Sequence, residues 1–188
     1  MEVKKVIITG GSRGIGEAIA LKLAAQGAHI AILAKTVEPH PKLKGTIYSV
    51  AGEIESLGGK AYPRQLDIRD EDAISRVISE VAQEMGGLDI LINNASAISL
   101  TGTEDTPAKR FDLMFDINVR GTFLATQACI PHLRKSDNPH ILTLSPPLSV
   151  EPRWFESHVA YTISKYDMSL LTLGWAAELK EEGIAANR

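Results

Sequence analysis

The sequence predicts a three-layer α/β fold built on a doubly wound parallel sheet. Three observations carry that expectation. Short β-branched runs alternate with helix-patterned segments along all 188 residues. The strand-like runs are apolar throughout, as in strands buried on both faces. The first of them, Val6-Ile7-Ile8, passes through a glycine-rich turn, Thr9 to Gly16, into a helical pattern over Ala18 to Ala25.

The other elements follow in order. His29 to Ala34 reads as a second strand, ended by a polar, proline-bearing loop from Lys35 to Gly45. Tyr48 to Leu57 has helical periodicity and stops at Gly58-Gly59. Ala61 to Leu66 is a third strand, Glu71 to Met85 a helix closed by Gly86-Gly87, and Ile90 to Ile92 a fourth strand. Pro107 to Leu133 reads as one long helix with a break near Asn118 to Gly121. Ile141 to Leu144 is a fifth strand and Ala160 to Lys180 another long helix. Right-handed crossovers place the carboxyl ends of such strands along one edge, where ligands bind. Gly183 to Arg188 has the look of the start of a sixth strand, so residues 1–188 are expected to form a single domain that is incomplete at its C-terminus.

Composition narrows the function classes. The 44% hydrophobic content suffices for one core. A net charge of −3 argues against a nucleic-acid surface, which needs clustered Lys and Arg. No apolar run approaches the roughly 20 residues that span a bilayer. Met1 to Lys5 runs straight into the first strand and leaves no room for a signal peptide, so a cytoplasmic protein is expected. One cysteine, Cys129, excludes an internal disulfide and a cysteine-based zinc site; in its apolar helical setting it reads as a small buried hydrophobe. No metal site is expected.

Strand, glycine turn and helix together form the opening of a Rossmann-type unit that binds a dinucleotide. The turn must pass close to a pyrophosphate, and the following helix offers it free N–H groups and a partial positive charge. Gly10, Gly14 and Gly16 are the expected points of close backbone approach, within a candidate cofactor loop completed by Gly11, Ser12, Arg13 and Ile15. An NAD-linked site places Asp or Glu at the end of the second strand. Here Lys35 stands there, with Arg13 in the turn, and two cations favour a ribose 2′-phosphate, hence NADP over NAD. Alternatively, Lys35 only begins a solvated loop.

Tyr161 and Lys165 are spaced i, i+4, so on a helix they address one site. A neighbouring cation favours phenolate and is expected to lower the tyrosine's pKa from its free value near 10, as general acid–base work requires.

The T-G-x-x-x-G-I-G form of the turn and the Tyr161-Thr162-Ile163-Ser164-Lys165 string resemble the short-chain dehydrogenase/reductase family over essentially the whole chain. The resemblance implies that Tyr161 donates or accepts the proton while Lys165 binds ribose and tunes the tyrosine. Asn118, in Asp116-Ile117-Asn118-Val119, matches the family's helix asparagine, whose carbonyl group holds a relay water. Asp67 matches an acid that bonds the adenine edge, unless it caps the next helix, for which Asp70 is better placed. Asn93-Asn94-Ala95-Ser96 matches an N-N-A-G segment; Asn94 reads as a holder of neighbouring backbone, with a cofactor contact from the loop that follows.

One departure stands out. The family places a catalytic hydroxyl just after the fifth strand, and this chain reads Leu144-Ser145-Pro146-Pro147-Leu148-Ser149. Proline falls on the usual serine, leaving Ser145, or Ser149 further on, as the candidate. The strings Ala34-Lys35-Thr36, Pro39 to Leu43, Asn93 to Leu100, Ser145 to Leu148 and Trp154-Phe155 are similar to those of the hydroxysteroid dehydrogenase-like 2 subgroup. That similarity implies NADP and a lipid-related carbonyl or alcohol substrate. Trp154 and Phe155 line an apolar pocket or form a packed loop. The family also implies a homo-oligomer, with apolar faces over Phe111 to Leu124 and Met168 to Leu179 available for it. The rival reading is an NADP-binding module with little or no catalysis, motivated by Pro146.

Overall fold

The computed structural model describes residues 3–41 and 44–188. Lys42 and Leu43, the end of the Pro39 to Leu43 string, lie outside the described residues, as do Met1 and Glu2. Six parallel strands form one sheet in the order β3-β2-β1-β4-β5-β6. They are β1 (Lys5–Thr9), β2 (His29–Ala34), β3 (Lys60–Gln65), β4 (Ile90–Asn93), β5 (His140–Thr143) and β6 (Ala185–Asn187). Register is continuous across the middle: Ile7 pairs with Ala31 on one side and Leu91 on the other, and Asn93 pairs with Thr143. The start of a sixth strand read from the sequence is a strand, paired with β5 through His140 and Ala185.

Both faces of the sheet are covered, which explains the unbroken apolar runs. Ile7, Leu33, Leu91 and Ile141 pack with α3 (Glu71–Met85), α5 (Thr122–Leu133) and α6 (Val159–Glu178). Val6, Ile8, Ile30 and Ile32 pack with α1 (Gly14–Ala24) and α2 (Ile47–Ser56). Successive residues of one strand point to opposite layers, and each finds an apolar partner. Cys129 is fully buried, and burial pushes its thiol pKa upward, as expected of an inert core residue.

Helix ends follow local chemistry. Asp70 caps α3, its Oδ1 accepting from the Ala73 N–H at 3.0 Å, and Gly86 closes the helix in the left-handed region. Thr46 and Ser49 exchange side-chain and backbone bonds at the start of α2. Two boundaries differ from the sequence reading by more than two residues. Helix α1 begins at Gly14, four residues before Ala18, because its first turn carries the glycines and shows no hydrophobic period. The long segment from Pro107 is not one helix with a short break. It runs as α4 (Ala108–Met114), a π-helical stretch over Phe115–Gly121, then α5. Asn118 lies inside that wide turn with its side chain fully buried, and its amide takes its partners from outside the helix. Among the described residues no helix is long and apolar enough to cross a membrane, and no cluster of His, Cys, Asp or Glu could hold a metal ion.

Because Ile78 is fully buried between α3 and the sheet, Ile78→Ala should cost about 2–5 kcal/mol of stability. Urea denaturation measures it, and a loss under about 1 kcal/mol would contradict tight packing in that layer.

Candidate active site

Strand β1 delivers the glycine-rich turn to the carboxyl edge of the sheet, beside β4, where the strand order reverses. Two side chains stitch the strands together there. The Nδ2 of Asn94 donates to the carbonyls of Thr9 and Gly10, each at 3.0 Å. The Oγ1 of Thr9 accepts from the N–H groups of Asn94 and Ala95, each at 3.1 Å. Asn94 thus holds neighbouring backbone. Thr9 does as much, and its mark in the sequence is its place as the first residue of the T-G-x-x-x-G-I-G turn.

The turn is built for close approach. A Cβ on Gly16 would sit 2.4 Å from the Asn94 Nδ2, and one on Gly10 would sit 2.8 Å from the Ala95 Cα. Gly11 lies against Ile32, and Ser12 is buried. Gly14 opens α1 in the left-handed region at φ +59°, with nothing within 4 Å of where its Cβ would be. Arg13 precedes the helix and makes no side-chain cap, so no N-cap side chain takes up the first-turn amides of α1. Free amides, a helix dipole and room for a phosphate fit the pyrophosphate of a dinucleotide.

A cleft of about 330 Å³ extends from this turn along the ends of β2 and β3, lined by Arg13, Lys35, Thr36, Asp67 and Asn94 among others. Lys35 does not stand there as the free cation read from the sequence. Its Nζ is 3.0 Å from the Asp67 carboxylate, because the parallel register of β2 and β3 brings their ends together. The same carboxylate takes the Arg69 guanidinium at 2.6 Å and the Arg69 N–H at 3.1 Å. The Arg69 bonds, helped by Lys35 and opposed by burial, hold the Asp67 carboxyl well below the usual carboxylate range. Asp67 caps no helix; that is Asp70. Sequence reasoning missed Arg69, which has no spacing signal beyond lying two residues past Asp67.

A larger cleft, about 760 Å³, lies beyond β5 and brings together Ile15, Ser145, Trp154, Tyr161, Lys165 and Tyr166. Helix α6 presents Tyr161 and Lys165 one turn apart on the face that lines it. The Lys165 Nζ donates to the Leu144 carbonyl at 2.6 Å and contacts the Met168 sulfur at 3.2 Å. Burial lowers the Lys165 pKa to about 8. Burial also raises the Tyr161 pKa, contrary to the expected lowering by a neighbouring cation. Desolvation is the cause, and the Lys165 ammonium is turned onto the strand carbonyl.

Asn118 joins three elements. Its Oδ1 accepts from the Ala97 N–H at 2.7 Å, and its Nδ2 donates to the Ala97 carbonyl at 2.9 Å and to Ser164 Oγ at 3.0 Å. Ser164 in turn donates to the Tyr161 carbonyl at 2.8 Å. The loop after β4, the π-helical stretch and α6 are thereby fixed to each other. Ser145 Oγ is buried and has no hydrogen-bond partner among the described residues, while Ser149 also lines the cleft. Ser169 donates to the Pro146 carbonyl at 2.7 Å and pins the proline turn to α6. The aromatic pair divides: Trp154 lines the cleft, whereas Phe155 packs edge-on against Tyr166 at 5.2 Å.

A doubly wound sheet with an anion-binding glycine turn at its switch point defines a dinucleotide-binding α/β protein. Comparison with known proteins gives the family. The short chain dehydrogenase profile matches residues 4–188, and the chain belongs to that family of oxidoreductases, which bind nicotinamide dinucleotides and act on small molecules. Hydroxysteroid dehydrogenase-like protein 2 of Homo sapiens is 60% identical over 182 residues, covering 97% of this chain and 43% of that protein. The chain therefore spans less than half the length of the curated relatives it matches. A short chain dehydrogenase crystal structure from Mycobacterium thermoresistibile is 54% identical with a TM-score of 0.95, covering 98% of this chain and 65% of that one. More distant structures include an NADH-dependent reductase complexed with NAD (25% identity, TM-score 0.83, 97% of this chain, 75% of that one). A metagenomic short-chain oxidoreductase is complexed with NADP (28%, TM-score 0.84, 96% and 78%).

The Lys165 shift has a stability consequence with a definite sign. Its folded pKa, about 8, lies below the ordinary 10.5, so between these values the unfolded chain holds a proton that the folded chain has lost. Stability therefore rises with pH across that window. Relative to Lys165→Met, the unmodified protein should gain about 1–3 kcal/mol between pH 7.5 and 10.5, read from urea midpoints. A difference that stays flat or falls would show that the ammonium is not desolvated.

Proposed function

We propose that this chain is an NADP-linked oxidoreductase that interconverts a carbonyl and an alcohol, with Tyr161 as general acid and base. The observation that carries the reading is the convergence of Tyr161, Lys165 and Ile15 of the cofactor loop on one cleft. The nicotinamide would supply or accept the hydride. This chain's own residues do the rest. Gly10 to Gly16 hold the pyrophosphate on main-chain amides, and Asp67 meets the adenine edge. Tyr161, its pKa raised by burial, is protonated at neutral pH and suited to donate its proton to a carbonyl oxygen. Lys165 carries its charge below about pH 8 and binds ribose on the same helix face. Asn118, through Ser164, fixes the turn of α6 that bears the tyrosine. In place of the missing hydroxyl at Pro146, Ser145 would polarise the carbonyl.

NADP is favoured over NAD because Arg13 and Lys35 line the smaller cleft, while Asp67 is already neutralised by Arg69 and Lys35 and would not repel a phosphate. The substrate is assigned as an apolar, lipid-related carbonyl or alcohol, since Leu142, Leu144, Pro147 and Trp154 line the larger cleft. A single cytoplasmic domain that assembles as a homo-oligomer belongs to the same reading. Phe111, Phe123, Leu170 and Leu173 are exposed apolar side chains on α4, α5 and α6 that such an assembly would cover.

A second reading, a dinucleotide-binding module with little turnover, is favoured by Pro146 and by the burial of the Ser145 hydroxyl. One comparison separates the two. Tyr161→Phe should leave NADPH affinity within about threefold and reduce single-turnover carbonyl reduction about 10²–10⁴-fold. Undiminished reduction excludes Tyr161 as the acid, and absent reduction by the unmodified protein across a carbonyl panel supports the module. On the cofactor side, NADPH should bind more tightly than NADH, and Lys35→Asp should reduce or reverse that preference by about tenfold to a hundredfold. Equal affinities of the unmodified protein in titration calorimetry would contradict NADP preference.

A further inference from the structure

After β2 the chain leaves the sheet and returns onto the glycine turn before starting α2. At the return, the Ile47 N–H donates to the Thr36 carbonyl at 3.0 Å, and Thr46 caps the helix while nearly buried. Between them, Gly45 sits on the turn itself. Its φ is +91°, and a Cβ there would lie 2.2 Å from the Ser12 carbonyl oxygen. Both facts bar any other residue without movement, and the atom in the way is backbone. The guanidinium of Arg13 reaches across the same contact. Its Nη2 donates to Thr36 Oγ1 at 2.7 Å and lies 3.4 Å from the Gly45 carbonyl.

We propose that Gly45, with Thr36, is a positioning residue for cofactor choice. The clasp they form on Ser12 and Arg13 holds the guanidinium where a ribose 2′-phosphate would meet it. The inference rests on the NADP reading and adds to it. Arginine loses much rotamer freedom when it binds a phosphate, and a side chain already fixed by Thr36 and Gly45 has lost part of that freedom beforehand. The discrimination then depends on a contact about thirty residues downstream of the arginine. A Cβ at Gly45 lifts the clasp off Ser12 and frees Arg13. Valine at position 36 removes the main acceptor with no change to the backbone.

The test is calorimetric affinity for NADPH, NADH and adenosine 2′,5′-bisphosphate. It compares the unmodified protein with Gly45→Ala, Thr36→Val, Arg13→Gln and the two double variants that combine Arg13→Gln with the others. Gly45→Ala and Thr36→Val should each weaken NADPH and the bisphosphate about tenfold while moving NADH less than about threefold. In the Arg13→Gln background neither change should alter the NADPH to NADH ratio further. An unmodified ratio near one overturns the NADP reading and the inference with it. A ratio that favours NADPH and survives Thr36→Val overturns the inference alone. So does a loss of equal size for both cofactors, which is what general damage to the turn would give. Thr36→Val carries the decision if Gly45→Ala does not fold.

Discussion

The end of β4 is held against the end of β1 by five hydrogen bonds from two side chains, Thr9 and Asn94, one of them donated by the Thr9 hydroxyl to the Ile92 carbonyl. The strands run on through their own ladder as far as the Thr9–Asn93 pair, and beyond it the chains must part to open a crevice. Unpaired backbone at that point would carry a cost, and these side chains replace the ladder with bonds that also fix the glycine turn. The turn is then pressed so close to β4 that Gly16 and Gly10 leave no space for a side chain. Everything proposed for the cofactor begins from the position this stitch imposes.

Burial, more than charge pairing, governs the larger cleft. Tyr161 and Lys165 are both shifted toward their neutral forms, the tyrosine upward and the lysine down to about 8. The opposite holds at the smaller cleft, where Asp67 keeps its charge because Arg69 and Lys35 bond it directly. The smaller cleft thus carries paired charges, and the larger one an apolar setting with two desolvated titratable groups. The stability of the fold carries the cost of burying that lysine at lower pH.

Much of this was legible in the residues. Unbroken apolar runs such as Val6-Ile7-Ile8 announce strands covered on both faces, and the structure buries all three completely. The spacing of Gly10, Gly14 and Gly16, and of Tyr161 and Lys165, places each group on its element. What the sequence hides is contact between elements. Lys35 is visible as a charge, but its partner depends on the register of β2 with β3. Arg69 folds back on Asp67 through a turn with no motif. Asn118 signals a disturbed helix without showing that the disturbance is seven residues wide. The burial that raises the Tyr161 pKa cannot be read from spacing, because i, i+4 geometry reports proximity along the helix and says nothing of desolvation or of the Leu144 carbonyl that takes the lysine.

The central claim is that the Thr9–Asn94 stitch builds the cofactor turn, and removal of one hydroxyl tests it most directly. Thr9→Val keeps the shape of a fully packed side chain and leaves the Asn94 and Ala95 N–H groups without their acceptor; Thr9→Ser keeps the acceptor and loses only a methyl. Measured by calorimetry on folded protein, NADPH affinity should fall about tenfold or more in the valine variant, as expected for unsatisfied buried donors, and stay within about threefold in the serine variant. Affinity unchanged by valine, or lost equally in both variants, would contradict the account.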